Sequence, residues 1–284
     1  MSGDPTVAAL LDEAAARLRA GGAVAPGPDL DAQLLLAYSL GVTRVRLKSH
    51  PETVVAAAAA RRFRELLQRR VRGEPVAYLT GIRDFWSLPL AVTPAVLVPR
   101  PETELLVERA LALHAGAGAR VADLGTGSGA IALALAAERP DWQLVATDLS
   151  AAALAVARAN AAALGLTGVE FRQGDWFAPL AAGRFDLLIS NPPYVAGDDP
   201  ALAALAFEPR AALTPGPDAL ACLRLLAQGA PRHLVRGGWL LLEHGTDQGE
   251  AVRRELVLAG FSHVRSQRDL AGHERMTEGQ HDQI

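Results

Sequence analysis

Through the first eighty residues, apolar side chains recur at three- and four-residue intervals, the spacing that gathers them on one face of a helix. Val7, Leu10, Leu11 and Leu18 set the first stripe, with Asp4 and Pro5 as N-cap and first-turn residues and Gly21-Gly22 as its stop. A second helix is predicted from Asp29 through Leu34, Leu35, Leu36 and Leu40 to Gly41. A third runs from near Pro51 through Phe63, Leu66, Leu67 and Val71 to Gly73. Residues 1–80 therefore read as a small helical domain with no chemistry of its own.

The period changes from Phe85 to Val98. Two short apolar runs, Leu88 to Val92 and Val96 to Val98, flank Thr93-Pro94 and predict a two-stranded β-ribbon, so residues 81–98 are expected to link two domains. From residue 99 to 284 strands and helices alternate. Strands are expected at 120–124, 143–147, 169–173, 185–190, 239–243 and 263–267, and helices at 130–138, 150–164, 218–234 and 247–259. Such alternation implies a doubly wound, mostly parallel α/β sheet of Rossmann-like type.

Composition narrows the classes. Half of the 284 residues are hydrophobic and 21% are charged, which excludes general disorder. A single cysteine, Cys222, allows no internal disulfide and no cysteine metal cluster. Asp4, Asp12 and Glu13 interrupt any apolar signal core, and no apolar run nears the roughly 20 residues a membrane helix needs. The expectation is a soluble cytoplasmic protein. The net charge of −3 offers no excess of cations for stable nucleic-acid binding. Arginine carries the positive charge, Lys48 being the only lysine.

Chemistry concentrates at two loops. Asp123-Leu-Gly-Thr-Gly-Ser-Gly129 follows the first strand of the alternating region and opens a helix. Glycine is needed where backbone turns tightly and approaches a ligand without a Cβ in the way. Gly125, Thr126, Gly127, Ser128 and Gly129 are thus cofactor-loop candidates. Asp148 ends the next strand, where a carboxylate can bind ribose hydroxyls. A dinucleotide or S-adenosylmethionine would fit this pair equally well.

Asn191-Pro192-Pro193-Tyr194 breaks the tie. The Asn oxygen and a proline carbonyl are acceptors for the two N–H groups of a planar –NH2, and the prolines keep the loop stiff. The tyrosine ring offers a face for an amide or base. Two acceptors pulling on an amide's hydrogens favour a pyramidal nitrogen whose lone pair can reach an electrophile, which is polarity preorganised for developing charge. A sulfonium methyl donor then needs only in-line positioning.

Together these features resemble a class I S-adenosylmethionine-dependent methyltransferase acting on planar nitrogen. Adenine-N6 DNA, guanine RNA and glutamine-N5 protein enzymes share the tetrapeptide, and more of this chain matches the third kind. Gly73-Glu-Pro-Val-Ala-Tyr-Leu-Thr-Gly81, Asp84-Phe-Trp-Ser-Leu88, Val98-Pro-Arg-Pro-Glu-Thr-Glu104, Gly174-Asp-Trp-Phe177, Phe207-Glu-Pro209 and Leu241-Leu-Glu-His-Gly245 resemble the HemK family of peptide-chain release factor glutamine methyltransferases. The likeness covers residues 70–278. It implies S-adenosylmethionine as cofactor and S-adenosylhomocysteine as product, with the glycine loop around the methionine moiety, Asp148 at the ribose and Trp176 against the adenine. Asn191 would touch both cofactor and target, and Pro192, Pro193 and Tyr194 would complete the pocket for the glutamine of Gly-Gly-Gln in class I release factors. Asn191, Pro192 and Tyr194 are then the catalytic candidates, with no metal and a monomeric enzyme. A sister group acts on a ribosomal-protein glutamine, but its counterpart of residues 99–104 differs. The C-terminal Glu274-Arg-Met-Thr-Glu-Gly-Gln280 departs from the family's Glu-Arg-Val-x-x-Gly-Arg and puts the packing of the last strand in question.

Other features have plainer readings. The six arginines of residues 61–72 are a solvated helix face or an electrostatic contact for the release factor. Seven scattered histidines show no ligand spacing. Cys222 reads as core, Phe85 and Trp86 as the packing face of the ribbon, and Arg100 and Glu102 as a hinge salt bridge or a pocket rim. A nucleic-acid amino-methyltransferase, an NAD-dependent oxidoreductase and a binding module with a relic pocket are the alternatives. The net charge of −3 speaks against the first, the second leaves Asn191–Tyr194 unexplained, and the intact site residues speak against the third.

Overall fold

The computed structural model describes residues 4–21, 27–114 and 116–282; Gly22, expected in the first helix stop, and the last two residues lie outside them. The chain divides into two compact units. One holds residues 1–82 and 203–207, the other residues 83–202 and 208–284.

The first unit contains helices α1 (Val7–Ala20), α2 (Pro28–Leu40), α3 (Arg44–Ser49), α4 (Ala57–Val71) and α5 (Val76–Thr80). Thr6, rather than Asp4, caps α1, its side chain accepting from the Ala9 N–H. Leu10, Leu18, Leu35, Leu36, Phe63 and Leu67 are fully buried where α1, α2 and α4 meet. The helix expected from Pro51 begins only at Ala57, because Val54 instead bridges to Thr6 as extended backbone. The arginine run lies on α4. Arg64 pairs with Glu13, Arg69 with Glu74 and Arg70 with Asp31, and Arg62 covers the Tyr38 ring. Four of its six cations thus serve their own unit.

At the start of the second unit stands a ribbon of β1 (Ile82–Phe85), all but its first residue in that unit, and β2 (Leu88–Ala91). Its turn is Trp86-Ser87, at φ +50° and +62°, and not Thr93-Pro94; residues 96–98 form no strand. Two successive positive φ values are those of a two-residue hairpin whose twist matches its strands. Phe85 and Leu90 are buried in the core of the second unit, and Trp86 donates to Glu138 through Nε1 and to Glu104 through its backbone.

Along the chain then come α6 (Glu104–Leu113), β3 (Arg120–Leu124), α7 (Ala130–Glu138), β4 (Gln143–Asp148), α8 (Ala151–Leu164), β5 (Val169–Gln173), β6 (Phe185–Ser190), α9 (Ala201–Ala204), α10 (Arg210–Leu213), α11 (Ala221–Gly229), β7 (Leu234–Glu243), α12 (Gly249–Leu258), β8 (Ser262–Arg268) and β9 (Glu274–His281). The sheet order is β5-β4-β3-β6-β7-β9-β8, parallel from β5 to β7, with β9 antiparallel to both neighbours. Alternate residues feed opposite cores. Val121, Leu187 and Ile189 join one with α6 and α7, while Ala122, Leu124 and Leu188 join the other with α11 and α12.

Two elements depart from expectation. The helix predicted to run to Leu234 stops at Gly229, since Pro231 lacks the N–H that would continue it, and Leu234 already pairs with Phe185 in β7. The C-terminal segment is a full strand between β7 and β8. Its Glu278, fully buried, is held by Arg109 and Arg265, which answers the question raised by its divergent sequence.

Asn160 of α8 joins the ribbon to the loop after β3. Its Oδ1 accepts from the Ala91 N–H at 2.8 Å, and its Nδ2 donates to the carbonyls of Ala91 and Ser128 at 3.0 and 2.9 Å. Asn160→Ala removes all three bonds at a site 2% exposed, so unfolding by urea should show a loss of about 1–3 kcal/mol. A loss under about 0.5 kcal/mol, the range of ordinary surface substitutions, would contradict this account of the clamp.

Candidate active site

The polypeptide leaves β3 through three glycines, Gly125, Gly127 and Gly129, at φ +77°, +58° and +86°. Side chains would be strained at each. The Gly125 and Thr126 N–H groups both donate to the Thr147 carbonyl at 2.9 Å, fastening the loop to the end of β4. Asp148 continues this fastening. Its Oδ2 accepts from the Gly127 N–H at 2.9 Å and its Oδ1 from the Ser150 N–H at 2.8 Å, while the Ser150 side chain caps α8. A Cβ on Gly125 would sit 3.5 Å from the Trp176 indole, and one on Gly129 would press on Leu133 and Ala157 at 3.0 and 3.3 Å. The first glycine therefore makes room at the loop face, and the third makes room for helix packing.

These loops wall a cavity of about 460 Å³, within the range of small-molecule sites. Gly125, Thr126, Gly127, Ser128, Asp148, Trp176, Asn191 and Pro193 all line it. Trp176 holds a positive φ of +41° after β5, and Asn191 follows β6 directly. Three candidates do not face the cavity. Gly129 is the N-cap of α7, Pro192 is buried, and Tyr194 packs its ring into the core beside α11 and α12 while its hydroxyl donates to Glu243 at 3.1 Å. Cys222, expected in the core, is half-buried and lines the cavity because α11 starts at its edge.

Sequence reasoning passed over a shell of polar residues behind this wall. Asp123, fully buried beneath the glycine loop, accepts from the Thr126 hydroxyl at 2.6 Å and the Ala132 N–H at 3.3 Å. Its Oδ1 has no partner among the described residues. Burial pushes its pKa up to about 7 against the pull of the Thr126 hydrogen bond. Glu243, 2% exposed at the end of β7, is likewise pushed by burial up to about 7, and the same burial together with the Glu243 charge raises the Tyr194 phenol above its usual range. Thr103 accepts from Asn191 Nδ2 at 3.1 Å. Arg100 lines the cavity and pairs with buried Glu208, whose other oxygen accepts from the Val98 N–H at 2.9 Å, so Arg100 belongs to the pocket rim. The signal for this shell lay in the matched segments ending at Glu104 and Pro209 and the one holding Glu243, and in them only Arg100 and Glu102 had stood out.

No group of His, Cys, Asp or Glu among the described residues is arranged to hold a metal ion. His244 is fully buried, its ring engaged by the Gly245 carbonyl and the Thr277 hydroxyl. No described helix is long and apolar enough to cross a membrane.

Comparison with known proteins places this geometry. Residues 101–242 match the methyltransferase small domain and residues 9–81 the PrmC N-terminal domain. The chain is 50% identical over 253 residues to a release factor glutamine methyltransferase of Xylella fastidiosa strain Temecula1, covering 88% of this chain and 92% of that relative. The chain belongs to the release factor glutamine methyltransferase family. A second member, from Pseudomonas aeruginosa, is 50% identical over 257 residues, 90% of this chain and 93% of its own. A solved methyltransferase from Pyrococcus furiosus shares the fold alone, at TM-score 0.54 and 18% identity over 76% of this chain and 98% of that one. The doubly wound sheet expected from the alternating pattern, and the class I methyltransferase architecture that the resemblance implied, are therefore what is found.

In this family member the carboxyl of Asp123 carries a pH dependence whose sign follows from its burial. Its folded pKa of about 7 exceeds the ordinary 3.8, so the folded state holds the proton more tightly than the unfolded chain. The stability this contributes is full below pH 4 and lost as pH rises through 7. Asp123→Asn, which keeps the shape without the titration, should lose less Tm between pH 5.5 and 8.5 than the parent. Equal losses in thermal melts at the two pH values would contradict a buried, titrating Asp123.

Proposed function

We propose that this enzyme transfers a methyl group from S-adenosylmethionine to the side-chain nitrogen N5 of the glutamine in the Gly-Gly-Gln motif of class I peptide-chain release factors. The observation that carries the reading is the convergence of the glycine loop and the Asn191–Pro193 wall on one cavity. Bound there, S-adenosylmethionine supplies a methyl already activated on a sulfonium and leaves as S-adenosylhomocysteine.

The residues present fit such a guest. Gly125 and Gly127 expose backbone without a Cβ, suited to the methionine moiety. Each Asp148 oxygen accepts one backbone N–H and keeps a further lone pair for ribose hydroxyls. Trp176 offers its indole to the adenine. With Asn191 Nδ2 given to Thr103, its Oδ1 is left to accept from the glutamine –NH2, and Pro192, buried behind the cavity wall, stiffens the loop that presents it. Pro193 forms the wall beside them. Tyr194 supports the loop through Glu243 and holds it at the height where the amide enters. Arg100 at the rim lies in the segment 99–104 that favours a release factor over a ribosomal protein as the substrate. The reading carries a cytoplasmic, monomeric enzyme with release factors as its partners and no stable hold on nucleic acid.

Asn191→Ala should lower turnover by about 10²–10³, roughly 3–4 kcal/mol, since one preorganised polar group at a developing charge is removed. Its affinity for S-adenosylmethionine, measured by calorimetry, should change far less. Asp148→Ala should show the opposite split, with cofactor affinity lost first. Full turnover in the Asn191 variant would remove that residue from the chemistry.

A further inference from the structure

We infer that Thr103 and Glu243 are positioning residues for methyl transfer, holding the Asn191 side chain with its oxygen, and not its nitrogen, toward the incoming amide. The inference rests on the reading of Asn191 as the acceptor for the glutamine –NH2.

An asparagine amide has nearly the same shape in either of its two flipped orientations, and only its hydrogen-bond partners choose between them. One orientation presents an acceptor to a substrate –NH2; the other presents a donor and repels it. Asn191 Nδ2 lies 3.1 Å from Thr103 Oγ1, and Thr103 is 4% exposed at the end of the short helical turn Pro101–Thr103. A hydroxyl can accept or donate in this position, so it does not by itself decide the orientation. It accepts from Asn191 when its own proton has another acceptor.

Glu243 offers an open one. When ionised it can only accept, and it lies buried with Oε1 taking the Tyr194 hydroxyl proton at 3.1 Å. Its Oε2 has no hydrogen-bond partner among the described residues, which leaves it open to the Thr103 hydroxyl proton, and the Thr103 hydroxyl favours the charged form of Glu243. The first and last residues of the Asn-Pro-Pro-Tyr loop are therefore both referred to one carboxylate, Asn191 through Thr103 and Tyr194 directly. The groups acting on Glu243 are Tyr194, Thr103 and Arg275, which favour the ionised form, and Glu102, which opposes it; the His244 ring beside it is engaged elsewhere. Burial outweighs the rest and sets the Glu243 proton affinity near neutrality. A protonated Glu243 becomes a donor, the Thr103 hydroxyl loses its acceptor, and Asn191 loses its preference. Turnover should then fall as pH drops through about 7.

The test uses the full chain with an unmodified release factor. Thr103→Val should lower kcat about tenfold or more while KM for the release factor and affinity for S-adenosylmethionine stay within about twofold, and Thr103→Ser should restore most of the loss. Glu243→Gln, of nearly the same shape, should lower kcat and abolish the limb near pH 7. Adding Thr103→Val to it should cost little more, because both act through one network. A second readout needs no substrate. The chain has only two asparagines, Asn160 and Asn191, so selective ¹⁵N-asparagine labelling resolves the Asn191 –NH2. Its exchange with water should quicken in Thr103→Val and recover in Thr103→Ser. Unchanged kcat in Thr103→Val, a pH limb that persists in Glu243→Gln, or Asn191 –NH2 exchange indifferent to Thr103 would each overturn the inference. A parent enzyme that leaves release factor unmethylated would defeat the proposed function instead, and the labelling experiment would still decide the orientation of Asn191.

Discussion

The order of the sheet reverses at β3. From that strand the chain builds toward β4 and β5 on one side and toward β6 and β7 on the other, so the loops leaving β3 and β6 part at their carboxyl ends and open a crevice. Each candidate group of the second unit follows from that constraint. The glycine loop leaves β3, Asp148 closes β4, Trp176 follows β5 and Asn191 follows β6, and a parallel sheet brings all four ends to one edge. Once the strand register is set, the glycine loop and the Asn-Pro-Pro-Tyr loop wall one cavity with no further long-range instruction.

The crevice is kept in shape by groups that are costly to bury. Asp123 lies under the glycine loop, Glu208 behind the rim and Glu243 behind the Asn-Pro-Pro-Tyr loop, and each is almost wholly enclosed. A buried carboxylate is tolerated when hydrogen bonds and cations compensate its lost hydration. Glu208 has Arg100 and a backbone N–H, but Asp123 and Glu243 each keep an oxygen without a partner and hold their protons near neutrality as a result. Packing alone would be met more cheaply by apolar side chains. Their presence fits a site where the orientation of a few polar atoms matters more than the stability they forgo.

Much of this was legible in the chain because it rests on local physics. The strands 120–124, 169–173 and 185–190 and the helix 130–138 fall where apolar runs and glycine punctuation place them, and the glycine loop announces itself by spacing. The Trp86-Ser87 turn was hidden because neither residue is the usual occupant of positive φ, and the hairpin is held by burial of Phe85 and Leu90 instead. The last strand was missed because its residues are largely polar; Glu278 is buried only through two arginines distant in sequence. Thr103 and Glu243 were illegible for the same reason, since 88 residues separate Thr103 from Asn191 and only the fold brings them within 3.1 Å.

The claim that this crevice joins a methyl donor to a glutamine amide is tested most directly by chemistry at a known atom. The purified enzyme, S-adenosylmethionine and an unmodified class I release factor are incubated together, and every peptide is searched for added methyl by mass spectrometry. The account predicts one methyl, on the side-chain nitrogen of the Gly-Gly-Gln glutamine. Methyl found only on ribosomal protein or nucleic acid, with that glutamine unmodified, would contradict it.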